Sequence, residues 1–118
     1  MKKIYLFLLC LFLFIGCSNN DNGSISYMKA KEMIINNNAI LIDVRTEDEY
    51  NERHISGAVL LTLDEINEDS ASEVIDDSDS YVIVYCRSGA RSRKAYTKLK
   101  ELGYKNVFDL GSIDNWKE

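Results

Sequence analysis

Seven consecutive residues, Cys86-Arg87-Ser88-Gly89-Ala90-Arg91-Ser92, gather a thiol, two guanidinium groups, two hydroxyls and a glycine. Tyr81 to Tyr85, just before them, form a wholly apolar run of β-branched and aromatic residues, the pattern of a strand buried on both faces of a parallel sheet. From Ser92 the chain turns to helix formers, with Ala95, Leu99 and Leu102 on one stripe and Gly103 as the stop. A cysteine at this junction lies at the carboxyl end of a strand and over a helix amino terminus, where open α/β sheets bind ligands.

Such a loop favours a sulfur anion. Converging backbone N–H groups carry partial positive charge. Gly89 gives the backbone freedom to close tightly, and Arg87, Arg91, Arg93 and Lys94 add cations. All of these lower a thiol pKa. A thiol moved from roughly 8.5 to 6.5 gains some 25-fold in thiolate at pH 7. Nucleophilicity falls about 6- to 10-fold over the same interval, so activation alone leaves roughly 3-fold. Holding an anionic donor, or an anionic intermediate on the sulfur, is the larger effect expected of this loop.

Four motifs in order complete the pattern: Leu41-Ile-Asp43-Val-Arg45, His54-Ile-Ser-Gly57-Ala58, the cysteine loop, and Asp109-Leu-Gly111-Ser-Ile-Asp-Asn-Trp116. Together they resemble a single-domain rhodanese, a thiosulfate sulfurtransferase, over residues 25–118. Ser56 stands where that family commonly has proline, and Ser112 where it often has a second glycine. The resemblance implies an α/β fold with a central, mostly parallel five-stranded sheet and helices on both faces. It implies that Cys86 takes sulfane sulfur from thiosulfate or a similar anionic donor and passes it, as a persulfide, to a thiol or cyanide. Residues 87–92 then bind substrate, and no cofactor is needed. Arg87, with no Gly-Ser pair after the cysteine, points to thiosulfate rather than mercaptopyruvate within the family.

Three other readings compete. Cysteine phosphatases share a related fold, but place five residues between cysteine and arginine where Cys86 and Arg91 have four. A non-catalytic binding or sensing module keeps the fold without turnover. A thiol reductant needs a resolving cysteine from elsewhere.

The positioning elements follow from the rest of the chain. Lys2 and Lys3 precede an unbroken apolar run, Ile4 to Ile15, too short to span a membrane and suited to a signal core. Phe14-Ile-Gly16-Cys17 resembles a bacterial lipobox. Residues 1–16 are therefore expected to be cleaved, Cys17 lipidated, and residues 17–24 a flexible tether to the outer side of a bacterial envelope membrane. Without Lys2 and Lys3, 12 basic residues face 19 acidic ones, a net charge of −7 that argues against nucleic-acid partners. Cys10 leaves with the signal and Cys17 is used by lipid, so Cys86 remains the one free thiol, expected to be exposed.

One monomeric domain is expected, ending at Glu118. Its first element is read as a short edge strand at Ile25 to Tyr27, and residues 29–36 as a helix with Met33 and Ile34 inward. Ala39 to Val44 forms a second buried strand. Thr46 to Glu49 reads as a capping box for a helix reaching Glu52. Asp43 and Arg45 close that strand, either as supports for the cysteine loop or as partners of nearby backbone and charge. His54, the single histidine, is assigned a backbone contact rather than a base role, and one His with one Cys makes no metal site. Val59 to Leu63 is the next strand. Residues 64–79 carry eight acids over inward Ile66, Val74 and Ile75. Val107 to Leu110 is the last strand, turned by Gly111, with Trp116 packed back over the sheet.

Overall fold

A computed structural model describes residues 22–117. The signal segment 1–16, the lipidation of Cys17 and the tether up to residue 21 lie outside the described residues. Four parallel strands form the sheet: β1 (Ile40–Asp43), β2 (Val59–Leu60), β3 (Tyr81–Cys86) and β4 (Asn106–Ser112), in the order β2-β1-β3-β4. Helix α1 (Tyr27–Asn37) packs Ala30 and Met33 on one face, against Leu41, Ile83 and Tyr85. Helices α3 (Glu68–Val74) and α4 (Ala90–Glu101) cover the other, placing Ala71, Ala95 and Leu99 against Ile42, Val82 and Val84. The strict alternation along β3 divides Val82, Val84 and Cys86 from Ile83 and Tyr85, which is why its sequence reads as one apolar run.

The expected fifth strand does not form. Ser26 accepts a hydrogen bond from Lys29 N–H and caps α1, so the helix starts at Tyr27 and consumes the would-be strand. What survives is a single parallel bridge, Ser24 to Asp109. Asn22 to Ser24, the end of the expected tether, is held down rather than loose. Gly23 C=O accepts from Asp109 N–H at 2.6 Å, and Arg93 donates to Asn22 C=O and Ser24 Oγ. Gly23 itself lies against the Tyr96 ring, where a Cβ would come within 2.2 Å of a ring carbon.

Three boundaries also differ. The third expected strand shrinks to Val59–Leu60, because Leu63–Glu65 winds into a 3-10 turn. Leu102 is 37 % exposed instead of sharing the Ala95–Leu99 stripe, because α4 ends at Glu101. Gly111 does not end β4 but lies within it. The register shifts between Val84 and Tyr85, so Tyr85 pairs with Gly111 and Leu110 is the extra residue of a bulge. Gly111 takes φ +86°, a conformation open to glycine at little cost. Trp116 packs on the α1 side, edge-on to Tyr27 with ring centroids 4.9 Å apart.

Candidate active site

Cys86 ends β3 on the α4 side of the sheet, and the chain then curls back over it. Gly89, at φ +106°, opens α4 and turns the backbone so that N–H groups converge on Sγ. The Gly89 N–H donates at 2.9 Å and the Ser92 N–H at 3.3 Å. Burial pushes the thiol pKa up. The Ser92 hydroxyl and the N–H groups of Ser92, Gly89 and Ser88 push it down and prevail, so Cys86 titrates below an ordinary cysteine. The Ser92 hydroxyl proton has two acceptors in reach, Sγ and the Gly89 carbonyl at 3.1 Å.

The thiol is fully buried, not exposed as expected, because the loop that supplies the donors also covers the sulfur. Around it, Arg87, Ser88 and Ala90 are exposed and Gly89 is half-buried. Below it, Ser112 at the end of β4 donates to the Arg87 carbonyl at 2.7 Å. The serine that replaces a family glycine is thus a brace for the loop.

Of the expected cations, Arg91 is close enough to Cys86 for the thiolate charge to help raise the arginine's pKa. Arg91 is gripped by Glu49, with Nη1 to Oε1 at 2.7 Å and Nη2 to Oε2 at 3.1 Å. Arg93 turns away, toward Asn22, Ser24 and Asp109. Arg87 carries the loop guanidinium with no partner among the described residues. The sulfur anion is therefore held mainly by main-chain dipoles and one hydroxyl.

Glu49 went unrecognised as a site residue. It serves first as the capping-box carboxylate of α2 (Glu47–Glu52), and Thr46 N–H also donates to it. Arg91 holds its pKa down to about 2, against burial, with further help from Thr46. Its contribution is in place above pH 4.5 and disappears as the pH falls toward 2. A 42-residue separation hid this pair from any local reading.

Asp43 and Arg45 are both buried and make their hydrogen bonds with each other, with Tyr85 and with the Arg53 carbonyl. Asp43 sits opposite Tyr85 in the β1–β3 register and accepts the phenol at 2.8 Å, while Tyr85 Oη accepts from Ile55 N–H. Burial, then the Asp43 carboxylate, raise the Tyr85 pKa, and the phenol stays protonated as a donor. Neither Asp43 nor Arg45 bonds to residues 86–92, so of their two expected roles the geometry shows the local one. His54 stacks on Tyr50 at 3.8 Å, and its Nδ1 lies 2.8 Å from the Tyr50 carbonyl, the structural role read for it.

Ser92 offers a direct test of what ionises the sulfur. A hydrogen bond to a charged acceptor contributes about 1.5–3 kcal/mol, and losing it favours the neutral thiol. Ser92→Ala is expected to move the Cys86 titration midpoint upward, read from thiolate absorbance against a Cys86→Ala baseline. An unmoved midpoint would show that the backbone alone sets it.

The family model described as "Rhodanese-like domain" matches residues 26–118. Thiosulfate sulfurtransferase GlpE of Coxiella burnetii (strain RSA 331 / Henzerling II) is 34 % identical over 94 residues, covering 79 % of this chain and 85 % of that protein. Thiosulfate sulfurtransferase PspE of Escherichia coli (strain K12) is 39 % identical over 72 residues, covering 61 % and 68 %. A solved structure titled "rhodanese with anions from E. coli" superposes with a TM-score of 0.62 at 31 % identity, covering 65 % of this chain and 89 % of that one. With the match beginning at Ser26, the cap of α1, and taking in the whole sheet and the cysteine loop, the chain belongs to the rhodanese-like domain family.

Proposed function

We propose that this protein is a sulfurtransferase that moves sulfane sulfur from thiosulfate to a thiophilic acceptor through Cys86. The observation that carries it is the pair of backbone N–H donors on Sγ, which lower the pKa of a buried thiol. The Cys86 thiolate attacks the outer sulfur of the donor. Its S–S bond breaks, sulfite leaves with the electron pair, and a persulfide remains on Cys86. A thiolate or cyanide then attacks the outer sulfur and restores the Cys86 thiolate. The loop N–H groups hold the anion through both steps without reorganising, as they are already aimed at it. Arg87 meets the anionic donor, while Arg91, fixed by Glu49, keeps the loop in shape.

Sulfite release from thiosulfate, followed by thiocyanate on adding cyanide, tests this in the full chain. The complete burial of Cys86 favours one second reading, a non-catalytic binding module, under which neither product forms.

The protein is further proposed to act as a monomer at a bacterial cell envelope, on the outer side of a membrane and anchored by lipid on Cys17. Support comes from the apolar run Ile4 to Ile15 and the lipobox-like Phe14-Ile-Gly16-Cys17. One chain supplies every donor around Cys86. Two or more acyl chains hold a protein on a membrane stably. Cys17→Ser is expected to release the protein from the membrane fraction, and retention there would contradict the anchor.

A further inference from the structure

At the end of β4 a hydroxyl lies beneath the cysteine loop, and the bulge in that strand puts it there. An unshifted β3–β4 register would set Gly111 opposite Cys86. The extra residue advances the strand by one, and Ser112 takes that place. The loop rests on this strand end, where a Cβ on Gly89 would meet the Gly111 Cα at 3.9 Å. Ser112 Oγ accepts from the Asp114 N–H at 3.0 Å, capping the 3-10 turn Ile113–Asn115, and donates to the Arg87 carbonyl at 2.7 Å. Capping the turn uses only the lone pairs of Ser112; its proton goes to the loop.

The Arg87 carbonyl shares its peptide unit with the Ser88 N–H. That unit is planar and trans, so its C=O and N–H point in opposite directions. A hydroxyl that holds the carbonyl on the β4 side therefore turns the N–H the other way. The Ser88 N–H is one of three main-chain donors, with those of Gly89 and Ser92, that favour the Cys86 anion. The chain of bonds runs from the Asp114 N–H through the Ser112 hydroxyl and the Arg87–Ser88 peptide to the sulfur, each link polarising the next.

We infer that Ser112 is a positioning residue for the reaction: it orients the Arg87–Ser88 peptide so that the Ser88 N–H meets the reacting sulfur. The consequence for rate rests on the sulfurtransferase reading above; the consequence for the ionisation of Cys86 does not. The charges around Cys86 do not depend on Ser112. Arg91 of α4 is held by Glu49 of α2, Arg93 by Asp109 of β4, and Arg45, after β1, by Asp43. Ser112 engages Arg87 through its carbonyl, leaving the guanidinium as it is.

The test is a titration of Cys86 thiolate absorbance in the full chain, in Ser112→Ala and in Ser112→Thr, each against Cys86→Ala in the same background. Ser112 has ordinary extended backbone, φ −79° and ψ 141°, which alanine and threonine adopt without strain. Ser112→Ala is expected to raise the midpoint by about half a pH unit, about threefold less thiolate below it. The pH profile of sulfite release from thiosulfate shifts by the same amount. Ser112→Thr keeps the hydroxyl and restores both. A midpoint unmoved in Ser112→Ala overturns the inference even where its urea midpoint falls, since a brace for stability alone would do that. A Ser112→Thr that titrates like Ser112→Ala overturns it as well. In the parent chain the Ser88 amide proton resonance is expected to move with the same midpoint as the sulfur, and one that stays fixed overturns the inference without any variant. A parent chain that releases no sulfite overturns the sulfurtransferase reading, while the titration and the amide resonance still decide the role of Ser112.

Discussion

Cys86→Ala releases no sulfite from thiosulfate, and Cys86→Ser is equally inert. The reason is the chemistry of the atom rather than its placement. A serine hydroxyl accepts the same loop donors, but an alkoxide does not carry sulfane sulfur, and its pKa lies far above that of a thiol. Both variants should fold, because Cys86 is one small side chain in a cluster with Val82, Val84, Ala95 and Leu99. Loss of a single buried thiol is of the order of 1–2 kcal/mol, against a domain stability of about 5–15 kcal/mol. Residual sulfite release by either variant would falsify the assignment of the nucleophile. The assay is sulfite appearance under thiosulfate, with a urea midpoint confirming that each variant is folded.

The second large effect concerns stability. Asp43→Ala leaves Arg45, only 4 % exposed, without its carboxylate, and leaves the Tyr85 phenol without its acceptor. Breaking one member of a buried ion pair costs about 3–5 kcal/mol, since the remaining charge stays desolvated and alone. At a urea dependence of about 1–3 kcal/mol per molar, the unfolding midpoint falls by at least about 1 M. Asp43→Asn keeps an acceptor for Tyr85 and loses only the charge, so it is expected to fall between Asp43→Ala and the parent. A midpoint for Asp43→Ala unchanged from the parent would mean that water reaches the pair and the closed geometry is not the folded state's.

These two predictions draw on different levels of legibility. β3, the cysteine loop and α4 follow each other within 21 residues, and local pattern reads them directly: an apolar run, a glycine at positive φ, then helix formers. The capping box at Thr46 is equally local and forms as read. What sequence hides is tertiary. Glu49 already had a role in its own helix, so nothing in its neighbourhood marked it as the partner of Arg91. Tyr85 read as one more strand aromatic, and only the β1–β3 register places its hydroxyl opposite Asp43. Ile25 to Tyr27 had strand composition, but Ser26 capped the helix and settled the competition the other way. Arg93 counted toward the charge near the sulfur, although its position in the first turn of α4 turns it to the N-terminal segment.

The burial of Cys86 is the most instructive difference. Composition marks where a thiol is activated, through glycine, basic residues and a helix start. It does not reveal that the amides doing so enclose the atom. Main-chain donors strong enough to prevail over burial must sit within hydrogen-bond distance, and at that distance they also exclude water. Activation and enclosure are therefore one geometric fact. It restricts reaction to partners small enough to present one sulfur atom to the loop.

Intact-mass analysis of the full chain before and after thiosulfate tests that fact most directly. The structure predicts a gain of one sulfur atom, located on Cys86 and absent from Cys86→Ala, with its rate holding as the pH falls below the ordinary cysteine pKa. An unchanged mass, or a gain that tracks the titration of an ordinary thiol, would contradict it.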